Sequence, residues 1–315
     1  MLAEQIRSGL SETTHDGAIA IVDRDGSLVA SHGDIDRVFY LRSSAKPFQA
    51  LVSQESGAGL TPLELAITCA SHRGFPAHAA LVSSVLATGG LDETALQCPP
   101  AWPLGQEAAR LVQRVNAGGP RRIWNNCSGK HAGFLRACVA SDWPTETYLD
   151  PGHPLQERVM ATVSELGGFA VDPVGVDGCG APVLRTTARV MATLFARLGT
   201  EQRLAEVLTA MHRYPSLIGA NGEGDSEMAI AANAVAKGGA AGCVGVAVEN
   251  RLGLAVKCWD GDGLVAHQAA ATTLRMLGVL SSTARSALDP VLDPPVLGGG
   301  RRVGTFQTRF ELDVR

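Results

Sequence analysis

No run of apolar residues in this chain reaches the roughly 18–20 that a membrane-spanning helix needs, which argues against a helical membrane protein. Lys and Arg number 27 against 31 Asp and Glu, a net charge of −4. The pairs Arg121-Arg122 and Arg301-Arg302 read as solvated charges rather than a basic patch. That argues against a nucleic-acid partner. The first residues, Met1-Leu2-Ala3-Glu4-Gln5-Ile6-Arg7, lack the apolar core of a secretory signal, so a cytoplasmic location is expected. The 7 cysteines are an odd number and are scattered, which does not suit a disulfide framework. No internal repeat is visible.

What the chain does have is length and apolar content. Its 315 residues, 45% hydrophobic, suffice for one large domain or two smaller ones with a sizeable core. Residues 17–31 hold two apolar, β-branched runs flanking Asp23-Arg24-Asp25-Gly26, a hairpin signal. A second hairpin is expected where Gly242–Val248 and Leu252–Cys258 flank Glu249-Asn250-Arg251. Thr61-Pro62-Leu63-Glu64-Leu65 reads as a capped helix start. Helices are expected at about 45–56, 77–89, 106–115, 131–141, 154–166, 184–198, 200–212 and 269–279. Val265–Gln268 is expected to add a strand, 289–300 to be a loop, and Val303–Leu312 to be the last strand. Strands at both ends and a helical middle suit an α+β fold, with an antiparallel sheet built from both termini and helices packed on it.

Two sets of residues carry chemistry. The first centres on Ser43-Ser44-Ala45-Lys46, a Ser-x-x-Lys spacing that puts a hydroxyl and an amine on one face of a helix. A serine hydroxyl needs a base to become a nucleophile, and a lysine amine serves when its pKa falls. The same spacing opens the site of serine β-lactamases and penicillin-binding proteins, where a second loop serine and a strand lysine join it. Ser71 and Lys257 stand in the matching order. Each also has an ordinary reading: a capped helix for the first motif, with Ser44 as the capping hydroxyl, and a solvated strand end for Lys257. The second set is Cys127, Lys130, His131 and Cys179, in Gly-flanked loops. Thiolates and imidazole are zinc ligands, and loops let them converge. Buried, unmetallated cysteines give the same spacing.

Five stretches occur in order: Arg42-Ser43-Ser44-Ala45-Lys46-Pro47, Cys69-Ala70-Ser71-His72, Asn125 to Gly133, Asp177-Gly178-Cys179-Gly180 and Leu254-Ala255-Val256-Lys257. Together they resemble the asparaginase II family, the rhizobial type of L-asparaginase. The resemblance implies a serine β-lactamase-like fold, a homodimer, and hydrolysis of L-asparagine to aspartate and ammonia. It implies one domain over 1–315, with a sheet subdomain at about 1–60 and 238–315 and a mainly helical one at about 61–237. It implies catalytic pairs Ser43 with Lys46 and Ser71 with Lys257, and zinc held by Cys127, Lys130 and Cys179. Arg42, His72 and Asp177 are the residues expected to meet substrate, Arg42 through its bidentate match to a carboxylate. The alternatives are a hydrolase of a β-lactam or peptide, and a small-ligand binder without turnover. The chain departs from the family at Phe75, at Trp124 and in Ala220-Asn221-Gly222-Glu223, where the family has an acid, a polar residue and Gly-Glu-Gly-Arg.

Overall fold

A computed structural model describes residues 1–115, 118–220 and 222–315. The chain divides into two compact units: Met1–Ser44 with Thr186–Gln202 and Asn221–Arg315, and Ala45–Arg185 with Arg203–Ala220. The architecture is α+β, with the antiparallel sheet drawn from both termini.

In the first unit a six-stranded sheet runs in the order Asp313–Val314, Leu28–His32, Gly17–Asp23, Leu252–Cys258, Cys243–Val248, Ala234–Gly239. Every neighbouring pair is antiparallel. Both expected hairpins form. Asp23 Oδ1 accepts the N–H groups of Asp25 and Ser27 and so closes the first turn. The two hairpins meet in the middle, Ile19 opposite Val256 and Ile21 opposite Leu254. Ile19, Ile21, Val244, Val246, Leu254 and Val256 lie in one buried cluster with Val265, Ala269 and Leu274 of the helix Gly263–Met276. Burial of such side chains contributes about 1.5–3 kcal/mol each. The opposite face takes the helix Ala188–Leu198, which comes so close that a Cβ on Gly253 would sit 2.0 Å from Ala192 O. A second sheet joins Pro295–Gly298, Arg301–Thr308, Ala3–Arg7 and Leu10–His15 in that order.

Three expectations need correction here. Val265–Gln268 is helical, not a strand, because the Asp262 side chain accepts the Val265 N–H and starts the helix at Gly263. Segment 289–300 is not a plain loop: it holds the short helix Asp289–Leu292 and the strand Pro295–Gly298. The last long strand is Arg301–Thr308, earlier than expected, and Ala234–Gly239 is a strand the sequence pattern did not announce.

The second unit is helical. Lys46–Ser53, Pro62–Cys69, Pro76–Thr88, Ser128–Ala140, Pro154–Gly167 and Ala205–Arg213 are its main helices. Thr61 closes the expected capping box: its hydroxyl accepts the Glu64 N–H while Glu64 Oε2 accepts the Thr61 N–H. Among the described residues no helix is long and apolar enough to cross a membrane.

Candidate active site and thiol cluster

The Ser-x-x-Lys segment enters on a strained residue. Arg42 has φ +52, a left-handed conformation that residues other than glycine rarely adopt. A 3₁₀ turn over Arg42–Ala45 then passes directly into the helix Lys46–Ser53. Ser43 lies on that turn and Lys46 opens the helix after it. Pro47 takes the second helical position, where its missing N–H is harmless. Ser43 is half-buried and Ser44 buried. The Ser44 hydroxyl caps no helix; it donates to Lys237 O at 2.9 Å.

Lys46 is 1% exposed. Its Nζ donates to Ala70 O at 2.6 Å, Ser71 Oγ at 3.0 Å and Asn126 O at 3.3 Å. Ser71 lies in the loop after Pro62–Cys69, its N–H held by Ile218 O. The structure therefore joins Lys46 to Ser71, a pairing that the spacing of neither residue revealed. His72 is fully buried. Its Nδ1 accepts the Gly74 N–H, so the proton sits on Nε2, which donates to Ser128 Oγ at 2.8 Å. Burial, then the nearby His78 and Lys46, hold the ring well below the usual histidine range and neutral. Both its nitrogens are thus engaged in holding the loop.

Asn125 Oδ1 accepts the Cys127 N–H and turns the chain into Ser128–Ala140. One helical turn on, Lys130 is 2% exposed and donates to Cys179 Sγ at 3.1 Å. Cys179 is carried on a tight turn in which the Gly180 N–H donates to Asp177 O. Asp177 Oδ1 accepts the Gly178 N–H, and the carboxylate lies within electrostatic reach of Lys130. Cys127 and Cys179 lie within hydrogen-bonding reach of one another. The hydrogen bond to Cys179, then burial, pushes the Cys127 thiol well up. The same bond holds Cys179 far below the usual thiol range, against burial, with help from Lys130 and His131. Burial alone would lower Lys130, but the two sulfurs outweigh it and raise its pKa. His131 Nδ1 lies 2.7 Å from the Tyr148 hydroxyl, while Nε2 is buried beside Cys179 with no conventional hydrogen-bond partner among the described residues.

In the first unit Lys257 is 7% exposed and does not sit on a solvated strand end. Its Nζ donates to Ala241 O at 2.6 Å and lies over the rings of Phe39 and Trp259. Burial lowers its pKa.

The unit also holds a cluster that the motif reading missed. Lys237, 1% exposed on Ala234–Gly239, donates to Asp225 Oδ2 at 2.8 Å. Asp225 Oδ1 accepts the Gly238 N–H at 2.7 Å and faces His267 Nε2 at 2.8 Å. His267 Nδ1 faces Gly263 O at 2.7 Å. Both ring nitrogens point at acceptors, so the ring carries both protons. Burial would lower the His267 pKa, but Asp225 raises it. Burial likewise opposes the charge on Asp225, yet Lys237 and His267 hold its carboxyl below the usual carboxylate range. The sequence signal was a polar trio on apolar elements, visible only once the elements are placed.

A raised histidine pKa stabilises the fold below the unfolded value of about 6.5 and loses that contribution as pH rises through the folded value. His267→Gln is therefore expected to cost about 1.5–3 kcal/mol near pH 6 and less above neutral pH. Melting curves of both proteins from acid to alkaline pH check this. A difference that did not shrink with rising pH would refute the charged state.

Of the departures from the family pattern, Phe75 precedes the helix Pro76–Thr88 with its ring edge-on to His78, and Trp124 is buried. Glu223 occupies the position before the helix Gly224–Ala232, and Asn221 lies outside the described residues.

The fold is similar to that of solved structures of Mglu. One has a TM-score of 0.50 at 15% identity, covering 88% of this chain and 71% of that one. Its native form gives 0.48 at 16%, covering 88% and 68%. A probable glutaminase, ybaS, gives 0.43 at 17%, covering 83% and 85%. The chain spans between 63% and 71% of the length of the Mglu structures. No curated protein sequence matches it. The L-asparaginase II family model matches residues 3–308, and with nearly the whole chain covered the protein belongs to that family of amidohydrolases.

Proposed function

We propose that the chain hydrolyses the side-chain amide of L-asparagine to L-aspartate and ammonia, with Ser43 as nucleophile and Lys46 as its base. The observation that carries this reading is the buried Lys46 amine, bonded to Ser71 Oγ and three residues after Ser43 in the chain. In this reading Ser43 Oγ attacks the amide carbon, Lys46 takes its proton and returns it to the departing ammonia, and water then releases aspartate from the ester. Ser71 relays protons to Lys46. Lys257 is the second amine, kept easier to deprotonate by burial. Arg42 pairs the substrate's α-carboxylate, with Asp177 and His72 in the surrounding shell.

The test is ammonia release across amides. Asparagine is expected to be turned over with a KM in the millimolar range, the loose end of usual values. Glutamine, one methylene longer, should be poorer by roughly 10–200-fold. No ammonia from asparagine at high millimolar concentration, or a clear preference for another amide, would overturn the reading. Acylation by a penicillin-type probe would favour the β-lactam alternative.

Zinc fits the second unit's donor set. Lys130 donates to Cys179 Sγ, Cys127 and His131 each interact with Cys179, and all four are buried, a nitrogen–sulfur set of the kind zinc takes. Cys127, Lys130 and Cys179 would hold it, with Lys130 giving up its proton on binding. When bound, the metal would supply positive charge that orients polar groups of the substrate. Protein purified without chelator is expected to carry zinc, and Cys127→Ser or Cys179→Ser to lower its content sharply by elemental analysis. Zinc content unchanged by both substitutions would refute these ligands.

A further inference from the structure

The strand Leu10–His15 and the strand Leu252–Cys258 end side by side. Cys258 pairs with Gly17, the Trp259 N–H donates to Asp16 O, and His15 O accepts the Leu2 N–H. The backbone under both side chains is therefore fixed by sheet hydrogen bonds. His15 and Cys258 are 7% and 0% exposed. Between them comes Asp260, on the turn after the strand. His15 Nδ1 lies 2.6 Å from Asp260 Oδ2, and Cys258 Sγ donates to Asp260 Oδ1 at 3.0 Å. The donor atoms of all three lie within 4.8 Å of one another.

We propose that His15, Cys258 and Asp260 form a second metal site, built of residues different from the Cys127 and Cys179 cluster, that takes one divalent cation of the zinc class. A thiolate, an imidazole and a carboxylate select borderline metals over magnesium or calcium, which want oxygen alone. Ligands at about 2.0–2.3 Å around a tetrahedral zinc stand roughly 3.3–3.7 Å apart. The two contacts to Asp260, at 2.6 and 3.0 Å, thus need to open by only about 0.3–1.1 Å. Asp260 can supply that movement, since its side chain is 45% exposed and follows the strand rather than lying in it. The same exposure gives the ion a way in and leaves a position for water. The imidazole is already aimed: the Thr13 hydroxyl sits 3.2 Å from Nε2, which turns Nδ1 toward the other two donors in the manner of an outer-shell partner. On binding, the Cys258 thiol proton and the proton between His15 and Asp260 pass to solvent, and the cation takes the vacated lone pairs. With one ligand on each sheet, a metal here would clamp the two sheets of this unit.

Cobalt(II) and zinc(II) are the probes, read on the full chain. In the Cys127→Ser/Cys179→Ser protein, one equivalent of cobalt is expected to bind with a near-ultraviolet sulfur-to-cobalt absorption. Adding Cys258→Ala should abolish that absorption, and His15→Asn or Asp260→Asn should weaken binding at least tenfold. Zinc should raise the melting temperature of the double variant and not of the triple one. The inference is overturned if the folded double variant binds no cobalt, or if Cys258→Ala leaves the absorption unchanged. Should the double variant not fold, metal counting decides: Cys258→Ala in the otherwise unaltered chain must lower bound zinc by one equivalent, and an unchanged count overturns the site.

Discussion

Ser43→Ala is expected to lower ammonia release from asparagine by roughly 10⁴-fold or more, since losing an activated nucleophile removes a whole reaction path rather than one contact. Stability should hardly change. Ser43 is half-buried, and alanine fits a helical turn at least as well as serine. Ser44→Ala makes the control. Its hydroxyl is buried and donates to Lys237 O, so removing it should cost about 0.5–1.5 kcal/mol of stability and little turnover. The two variants thus exchange signatures: one loses rate and keeps its melting point, the other does the reverse. Near-normal rates in Ser43→Ala, with collapse in Ser44→Ala or Ser71→Ala, would move the nucleophile. The comparison is informative because all three hydroxyls come from neighbouring motifs, and only their partners differ.

Asp225→Asn is expected to destabilise the protein by about 3–5 kcal/mol, the usual result of removing one partner from a buried charged network. That corresponds to a drop of roughly 10 °C or more in the melting of a unit this size. The carboxylate receives Lys237 Nζ, the Gly238 N–H and His267 Nε2. An amide leaves the buried Lys237 and the half-buried His267 facing a neutral group, at least one of them set against an N–H. The partner substitution shows whether charge is the cause. Lys237→Met in the Asp225→Asn background should recover part of the loss, because it removes one uncompensated charge. Strict additivity of the two losses would show that packing, not the ion pair, carries the effect. Acid should act in the same direction. A carboxyl with a depressed folded pKa contributes stability above its unfolded value and loses it as pH falls toward the folded one.

Sequence alone determined much of this protein. Alternating apolar runs around short polar turns placed the hairpins at residues 17–31 and 242–258, because strand period and turn chemistry are local. The capping box at Thr61 and Glu64 was legible for the same reason. Ordered, dense stretches such as Asn125 to Gly133 pointed to the family that nearly the whole chain matches. Local pattern misplaced Val265–Gln268, where apolar residues suit either period and the Asp262 cap decided for a helix. It also passed over Ala234–Gly239, whose two terminal glycines and lysine do not look like a strand until it is paired with Cys243–Val248. Tertiary structure alone joined Lys46 to Ser71, assembled Asp225, Lys237 and His267, and brought His15 to Cys258 and Asp260. The physical reason is common to all three. Which atoms meet across long sequence separations depends on strand register and on the direction each side chain leaves its element, and neither is written in the spacing of residues along one segment.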